Sequence, residues 1–350
     1  MALGPNPRGH RVGIASPGVL LRQVTAERGT VELELEYAPR PEYGLICPLL
    51  SPTRGGVFAR GGADILMMSS SIPLEVSGAS ARARFTLQAG EQAHFALRHR
   101  SSWQPRPRVW TNDAIAARLQ VTVHGWRTWS ALHQNYQGPW AELVHHSGRV
   151  LYALTFQPTG AIVAAPTTSL PESVGGPRNW DYRYTWVRDA SLTLEALWIS
   201  ACPDEVYRFF GWMAGAVAAQ LQEGADLQIM FGVGGEHDLS ERTLDHLSGW
   251  RGSRPVRVGN GAWNQRQLDV YGELLGAVRR LADQLGRFHP TARHFLIAAA
   301  DAAAVRWQEK DQGIWEVRGA PRDFLYSKLM CWVALDSAIS LADRLGASVR

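Results

Sequence analysis

The chain has 350 residues, room for two domains or three, and an apolar fraction of 45%, enough for a sizeable core. Charged residues make up 19% and the net charge is +4, which excludes a disordered chain and a coiled coil. Nearly all the positive charge is scattered arginine, with Lys310 and Lys328 the only lysines, so no basic nucleic-acid tail is present.

The start, Met1 to Gly9, has no apolar core of a secretory leader, and a reducing, cytoplasmic compartment is the expectation. No stretch approaches 18 continuous apolar residues, so no membrane-spanning helix is expected. The three cysteines, Cys47, Cys202 and Cys331, form no CxxC pair. Cys202 and Cys331 lie in apolar helical context and read as small packed hydrophobes.

The first hundred residues read as strands. From Thr30 to Tyr37 the residues alternate, with Val31, Leu33, Leu35 and Tyr37 on one face and Glu32, Glu34 and Glu36 on the other. That period of two, with one wet face, belongs to antiparallel sheet. Further strands are expected at Val19–Val24, Gly56–Ala59, Ala63–Met68, Ala83–Leu87 and Gln92–Leu97. Pro39–Pro41, Ser51–Gly56 and Gly61–Gly62 separate them. A β-sandwich over residues 1–108 fits.

The pattern then changes. A helix from Thr111 to about Asn135, capped by Thr111 or Asn112, has loose apolar spacing and reads as an exposed linker over residues 109–137. Six further helices are expected in residues 138–350, at Trp140–Leu154, Val187–Ser200, Glu205–Gln222, Gln265–Leu285, Ala292–Gln308 and Leu325–Leu345. The third carries a clear stripe of Val206, Phe209, Phe210, Met213 and Val217. Pro203 is expected to separate it from the helix before, and Gly224 to stop it. Long loops rich in Gly and Trp lie between, and loops of that length in a compact domain are usually functional. Helix pairs joined alternately by tight turns and long loops suggest a toroid with its long loops at one mouth.

Two segments carry candidate chemistry. The first runs from Gly175 to Asp189 and mixes Trp180, Tyr182, Tyr184 and Trp186 with Asp181, Arg183, Arg188 and Asp189. Sugar sites need that mixture: aromatic faces stack on the C–H face of a pyranose, and charged forks take its hydroxyls. The bland alternative is a packed loop with Asp189 as a first-turn acid favoured by the helix dipole. The second segment is Gly313-Ile314-Trp315-Glu316-Val317-Arg318-Gly319. Glu316 among three apolar neighbours would have a raised pKa, as a general acid needs. The alternative is a surface ion pair of Glu316 with Arg318 or Arg322. Gly232-Val233-Gly234-Gly235 lacks the strand and helix frame of a phosphate loop. His145, His146, His237 and His246 lack the company of metal ligands. Neither a metal nor another cofactor is expected.

The order of motifs carries a resemblance. Ala164 to Glu172, Gly175-Gly176, Arg178 to Tyr184, Trp186, Arg188-Asp189 and Asp226 to Met230 are similar to bacterial family 15 glycoside hydrolases. So are Gly252 to Asn260, Gln267 to Gly272, Gly313 to Glu316 and Ser327-Lys328. These are glucoamylase-like enzymes, including glucodextranases and some actinobacterial trehalases. The resemblance implies a β + α chain: an antiparallel β-sandwich, a linker helix and an (α/α)6 barrel. It implies inverting hydrolysis of α-glucosidic bonds in malto- or isomalto-oligosaccharides or trehalose. By motif position, Glu316 matches the general acid. Arg188 and Asp189 match the pair gripping the terminal glucose, and Tyr182 and Trp186 match its aromatic walls. Trp315 and Trp263 join the substrate-binding set.

Against that family the sequence starts inside the sandwich and stops at Arg350, after six barrel helices. The general base, expected near the end of the barrel, has no counterpart. The resemblance thus implies an internal piece of a longer enzyme, or a catalytically inactive remnant that binds sugar or a partner chain. An open half-barrel would expose Leu329, Trp332, Val333, Ile339, Leu341 and Leu345 on the last helix, at roughly 1.5–3 kcal/mol per large side chain. Self-association through that face is the expectation.

Overall fold

The computed structural model describes residues 3–4, 9, 12–133, 136–199, 203–222, 226–283 and 285–347. Cys202, the helix-stopping Gly224, Ser200 and Asn135 lie outside the described residues. The chain forms two compact units, Met1–Ala131 and Leu132–Arg350.

In the first unit eight antiparallel strands form two sheets: β1 (Val19–Thr25), β2 (Thr30–Tyr37), β3 (Leu49–Thr53), β4 (Gly56–Gly61), β5 (Asp64–Ser70), β6 (Glu75–Ser77), β7 (Ser80–Gln88) and β8 (Gln92–Ser101). One sheet runs β1-β8-β5-β4-β3 and the other β2-β7-β6. Their inner faces share one core, with Tyr37, Ala81 and Leu87 from the smaller sheet and Val57, Ala59, Met68, Ala93 and Phe95 from the larger. The alternation of β2 places Tyr37 inside and sets Glu34 and Glu36 opposite Arg84 and Arg82 on the wet face. Strand β3, with Pro52 inside it, runs into the Ser51–Gly56 segment that the sequence marks as a separator. It survives because it is an edge strand, where a missing N–H leaves no ladder bond unmade.

The helix α1 (Asn112–Leu132) begins where Thr111 Oγ1 accepts the N–H of Ala114 at 3.3 Å, an N-cap. Its Ile115 is fully buried against Val19 and Ala96 of the larger sheet, while Asn112, Asp113 and Ala114 before it are exposed.

Six helices follow in the second unit: α2 (Ala141–Ala153), α3 (Val187–Ile199), α4 (Pro203–Gln222), α5 (Asp269–Arg280), α6 (Pro290–Arg306) and α7 (Leu325–Leu345). Pro203 is the first residue of α4 rather than a separator before it, since an N1 proline loses no intrahelical bond. The stripe of Val206, Phe209, Phe210, Met213 and Val217 is buried. Helix neighbours alternate. α3, α5 and α7 pack side by side in one row, α4 and α6 in a second, and α3·α4 and α5·α6 link the rows. This two-layered arrangement is that of an (α/α) barrel. α5 is buried on every side from Asp269 to Val278.

Helix α7 has the length and mean hydropathy, 1.2, of a membrane helix, although its sequence contains no long unbroken apolar run. Lys328, Asp336, Asp343 and Arg344 interrupt it, and one face packs against α5 and α6. Leu341 and Leu345 lie on that buried face, contrary to expectation, while Leu329, Trp332 and Ile339 are exposed.

Candidate active site

Three loops precede the N-termini of the row α3, α5 and α7: residues 157–184, 232–268 and 307–324. They meet each other. The two-residue strands β9 (Thr155–Phe156) and β10 (Ala161–Ile162) pair beside the start of the first loop. β11 (Thr185–Trp186), at its end, pairs with β12 (Met230–Phe231). In the second loop β13 (Arg242–Thr243) pairs with β14 (Arg257–Val258). Asp181, fully buried, takes a two-pronged bond from Arg183 (2.9 and 2.8 Å) and the N–H of Gly259 (3.1 Å), tying the first loop to the second.

Glu316 lies at the centre. Its backbone is left-handed (φ +53°), in a turn opened by Gly313 (φ +68°), whose carbonyl accepts the Glu316 N–H at 3.0 Å. Strain of this kind in a non-glycine residue persists only where surrounding contacts enforce it. The carboxylate points inward. Trp186 Nε1 donates to Glu316 Oε1 at 2.7 Å, and Arg188 Nη2 lies 3.6 Å from the same oxygen. Arg188 also donates to Asp189 Oδ2 (2.8 Å) and to the Ile314 carbonyl (3.1 Å), so one guanidinium spans the start of α3 and the acid-bearing turn.

The electrostatics follow. Burial pushes the Glu316 pKa up, the Trp186 bond and the Arg188 charge hold it down, Asp189 adds to the rise, and the net shift is upward. Burial works against the charge of Arg188, but Asp189, Glu316 and Asp269 outweigh it and its pKa is raised. Behind the site Asp269 opens α5 with no exposed surface, and among the described residues neither carboxylate oxygen has a hydrogen-bond partner beyond Asp269 itself. Burial raises it to about 6, against the pull of Arg188. Tyr326, at the start of α7, donates to Glu273 of α5.

The structure brings Glu316, Arg188, Asp189, Tyr182 and Trp186 together. Tyr182 is partly exposed and its ring lies 5.9 Å from that of Trp186. Trp186 is only 2% exposed, and its indole N–H, rather than an open ring face, is turned toward Glu316. Trp315 is 86% exposed beside Glu316. Trp263 packs on the cluster of Trp186, Ile229 and Met230 and lines a neighbouring cleft of about 450 Å3 with Gln265, Arg266 and Lys310. Gln265 Nε2 reaches the Glu316 carbonyl at 3.3 Å, which joins that cleft to the acid turn.

The surface-pair alternative for Glu316 does not form. Arg318 bonds to Glu241 and Asn260, and the Arg322 backbone pairs with Asp311. The burial of Glu316 does not come from its sequence neighbours either, since Trp315 and Val317 are exposed. The amide of Gly234 is taken by Glu236 Oε2 (2.9 Å), so the glycine run wraps its own acid. The ring nitrogens of His237 face the Ala216 carbonyl (2.9 Å) and Gln228 Oε1 (3.3 Å). Asp269 stands in the Gln267–Gly272 motif but carried no role in the sequence; its one signal was an acid set directly between Leu268 and Val270.

Residues 140–350 match the profile of Glycosyl hydrolases family 15. The chain is 39% identical over 336 residues to a trehalase of Mycolicibacterium smegmatis, covering 94% of this chain and 50% of that one. A trehalase of Mycobacterium tuberculosis is 38% identical, covering 94% and 49%. A trehalase of Thermoplasma volcanium is 32% identical over 318 residues, covering 91% and 50%. The chain thus spans about half the length of these relatives.

Proposed function

The chain belongs to glycosyl hydrolase family 15, and from that premise we propose that its site holds the terminal glucose of an α-glucoside, trehalose first, and protonates the departing oxygen from Glu316. The observation that carries this reading is the short bond from the buried Trp186 indole to Glu316, with Arg188 and Asp189 alongside. A general acid must keep its proton near working pH yet remain aimed at one atom. Burial raises the pKa of Glu316, the direction a proton donor needs, and the indole and guanidinium aim its carboxyl group. Arg188 and the partly exposed Asp189 offer paired donors and acceptors to vicinal hydroxyls, and Tyr182 offers an aromatic edge. The trehalases among its relatives favour trehalose over starch or dextran ends.

In an inverting reaction the proton passes from Glu316 to the glycosidic oxygen while water attacks C1 from the opposite face and gives its own proton to a general base, a group to which no residue of this chain is assigned, so turnover requires that base to be supplied from outside these residues. Hydrolysis of α,α-trehalose by this route yields one α- and one β-glucose. The test is proton NMR of the first products with trehalose, maltose and isomaltose, with calorimetric binding of each sugar alongside. Glu316→Gln is expected to reduce turnover by ~10²–10⁴ and leave binding intact. A rate within tenfold of the parent refutes the acid role, and absence of both trehalose binding and turnover refutes the site.

A further inference from the structure

We propose that Arg318 is a positioning residue for Glu316: it clamps the acid-bearing turn to the two neighbouring loops and so enforces the strained backbone of the acid. The inference rests on the reading of Glu316 as the proton donor and names the group that keeps it in place.

The contacts are specific. Arg318 Nη2 donates to Glu241 Oε2 (3.3 Å) and to Asn260 Oδ1 (3.2 Å). Its guanidinium lies 4.7 Å from the centre of the Trp180 ring, and that of Arg257 lies 4.5 Å from the same ring. Arg257 Nε donates to the other oxygen of Glu241 (3.1 Å), and its Nη1 reaches the carbonyls of Pro177 (2.9 Å) and Asn179 (3.3 Å). Glu241 therefore takes one arginine on each oxygen, and Trp180 is gripped by both. Gly261 leaves room for this: a Cβ there would sit 2.5 Å from Arg318 Nη1. The three loops that precede α3, α5 and α7 each supply part of the clamp.

Arg318 is only two residues from Glu316, and its hydrogen bonds run away from the Glu316 carboxylate. Its action thus passes mainly through the chain. Glu316 has a left-handed backbone, and a relaxed turn would swing its carboxylate off the Trp186 N–H. A planar guanidinium suits the clamp because it stacks on a ring while its edge bonds two acceptors, which an ammonium cannot do.

The groups that face Glu316 are Arg188 and Asp189 from α3, Tyr182 from the first loop, the Trp186 donor, and the more remote Arg318 charge. The Trp186 indole N–H therefore reports on Glu316 directly. The test is a pH titration of 15N-labelled full chain, following the indole resonances. Trp186→Phe assigns the peak, and Glu316→Gln must abolish its titration. Arg318→Ala is expected to displace or broaden that peak and to move its midpoint upward by about 0.5 pH unit or more, since both a charge and an aim favouring the carboxylate are lost. Arg318→Lys keeps the charge and is expected to leave the peak displaced. A wild-type peak and midpoint in Arg318→Ala overturns the proposal, as does full rescue by lysine, which would reduce the role to charge alone. Should Arg318→Ala not fold, Asn260→Ala removes one acceptor and must displace the peak in the same direction. The readout needs no turnover, so failure of this inference and failure of the acid assignment are told apart.

Discussion

Replacing Asp269 by asparagine removes a buried charge and leaves the shape of the residue unchanged. Asp269 has no exposed surface, and among the described residues its carboxylate oxygens make no hydrogen bond beyond Asp269 itself. Burial lifts its pKa from 3.8 to about 6, with Arg188 opposing and Asp311 and Glu273 adding. A folded pKa above the unfolded one means that the native state holds the proton more tightly. The associated stability is fully present below the unfolded value of 3.8 and is lost as pH rises through about 6. A gap of about 2 pH units corresponds to about 3 kcal/mol. Asparagine does not titrate, and the other titrating groups are common to both proteins. The stability of Asp269→Asn relative to the parent should therefore rise by about 3 kcal/mol between about pH 4 and pH 7, then level off. Urea unfolding followed by circular dichroism of the helices, at pH steps across that range, measures the difference. A difference flat to within about 1 kcal/mol, or one that falls with pH, would refute the assignment of Asp269 as a buried, unpaired acid.

Trp186→Phe removes the hydrogen bond that favours ionised Glu316, so the Glu316 pKa rises and the high-pH limb of kcat/KM moves to higher pH. An unmoved limb would mean that the indole does not govern the acid. Gly313→Ala forces a Cβ to 2.9 Å from the Phe324 ring at a left-handed position. It is expected to cost about 1–3 kcal/mol, read as a lowered Tm, and a wild-type Tm would contradict the tight turn. Arg188→Lys loses the fork shared by Asp189 and the Ile314 carbonyl and is expected to weaken trehalose binding at least tenfold by calorimetry. Unchanged affinity would place the sugar elsewhere.

Much of the fold was legible. The alternation of β2 put Tyr37 in the core and the glutamates opposite arginines, and α7 runs over the expected residues. The start of α5 was not legible. Helical periodicity runs back to Gln265, but the helix begins at Asp269. The third loop captures the amides before it: the Leu268 N–H goes to Asp311 Oδ2 (2.9 Å) and that of Arg266 to Gln312 Oε1 (3.0 Å). α5 does carry an apolar stripe of Val270, Leu274 and Val278, continued by Leu281 at its C-cap, but that stripe does not say that the rest of the helix is buried as well.

The same division holds for the site. The sequence by itself singled out Arg188, Asp189 and Glu316 as candidates, since they stand in ordered motifs, and it placed the first two at the start of a helix. Only the tertiary structure decided what each touches. Glu316 is buried by Trp186 and Arg188, more than 120 residues earlier, while its own neighbours Trp315 and Val317 face solvent. The Trp186 indole donates to Glu316, Arg318 bonds to Glu241 and Asn260, and Asp269 is a buried acid. The physical reason is range. Helix and strand periodicities are set by residues two to four apart, whereas the desolvation and aim of a carboxylate are set by whatever the folded loops bring against it.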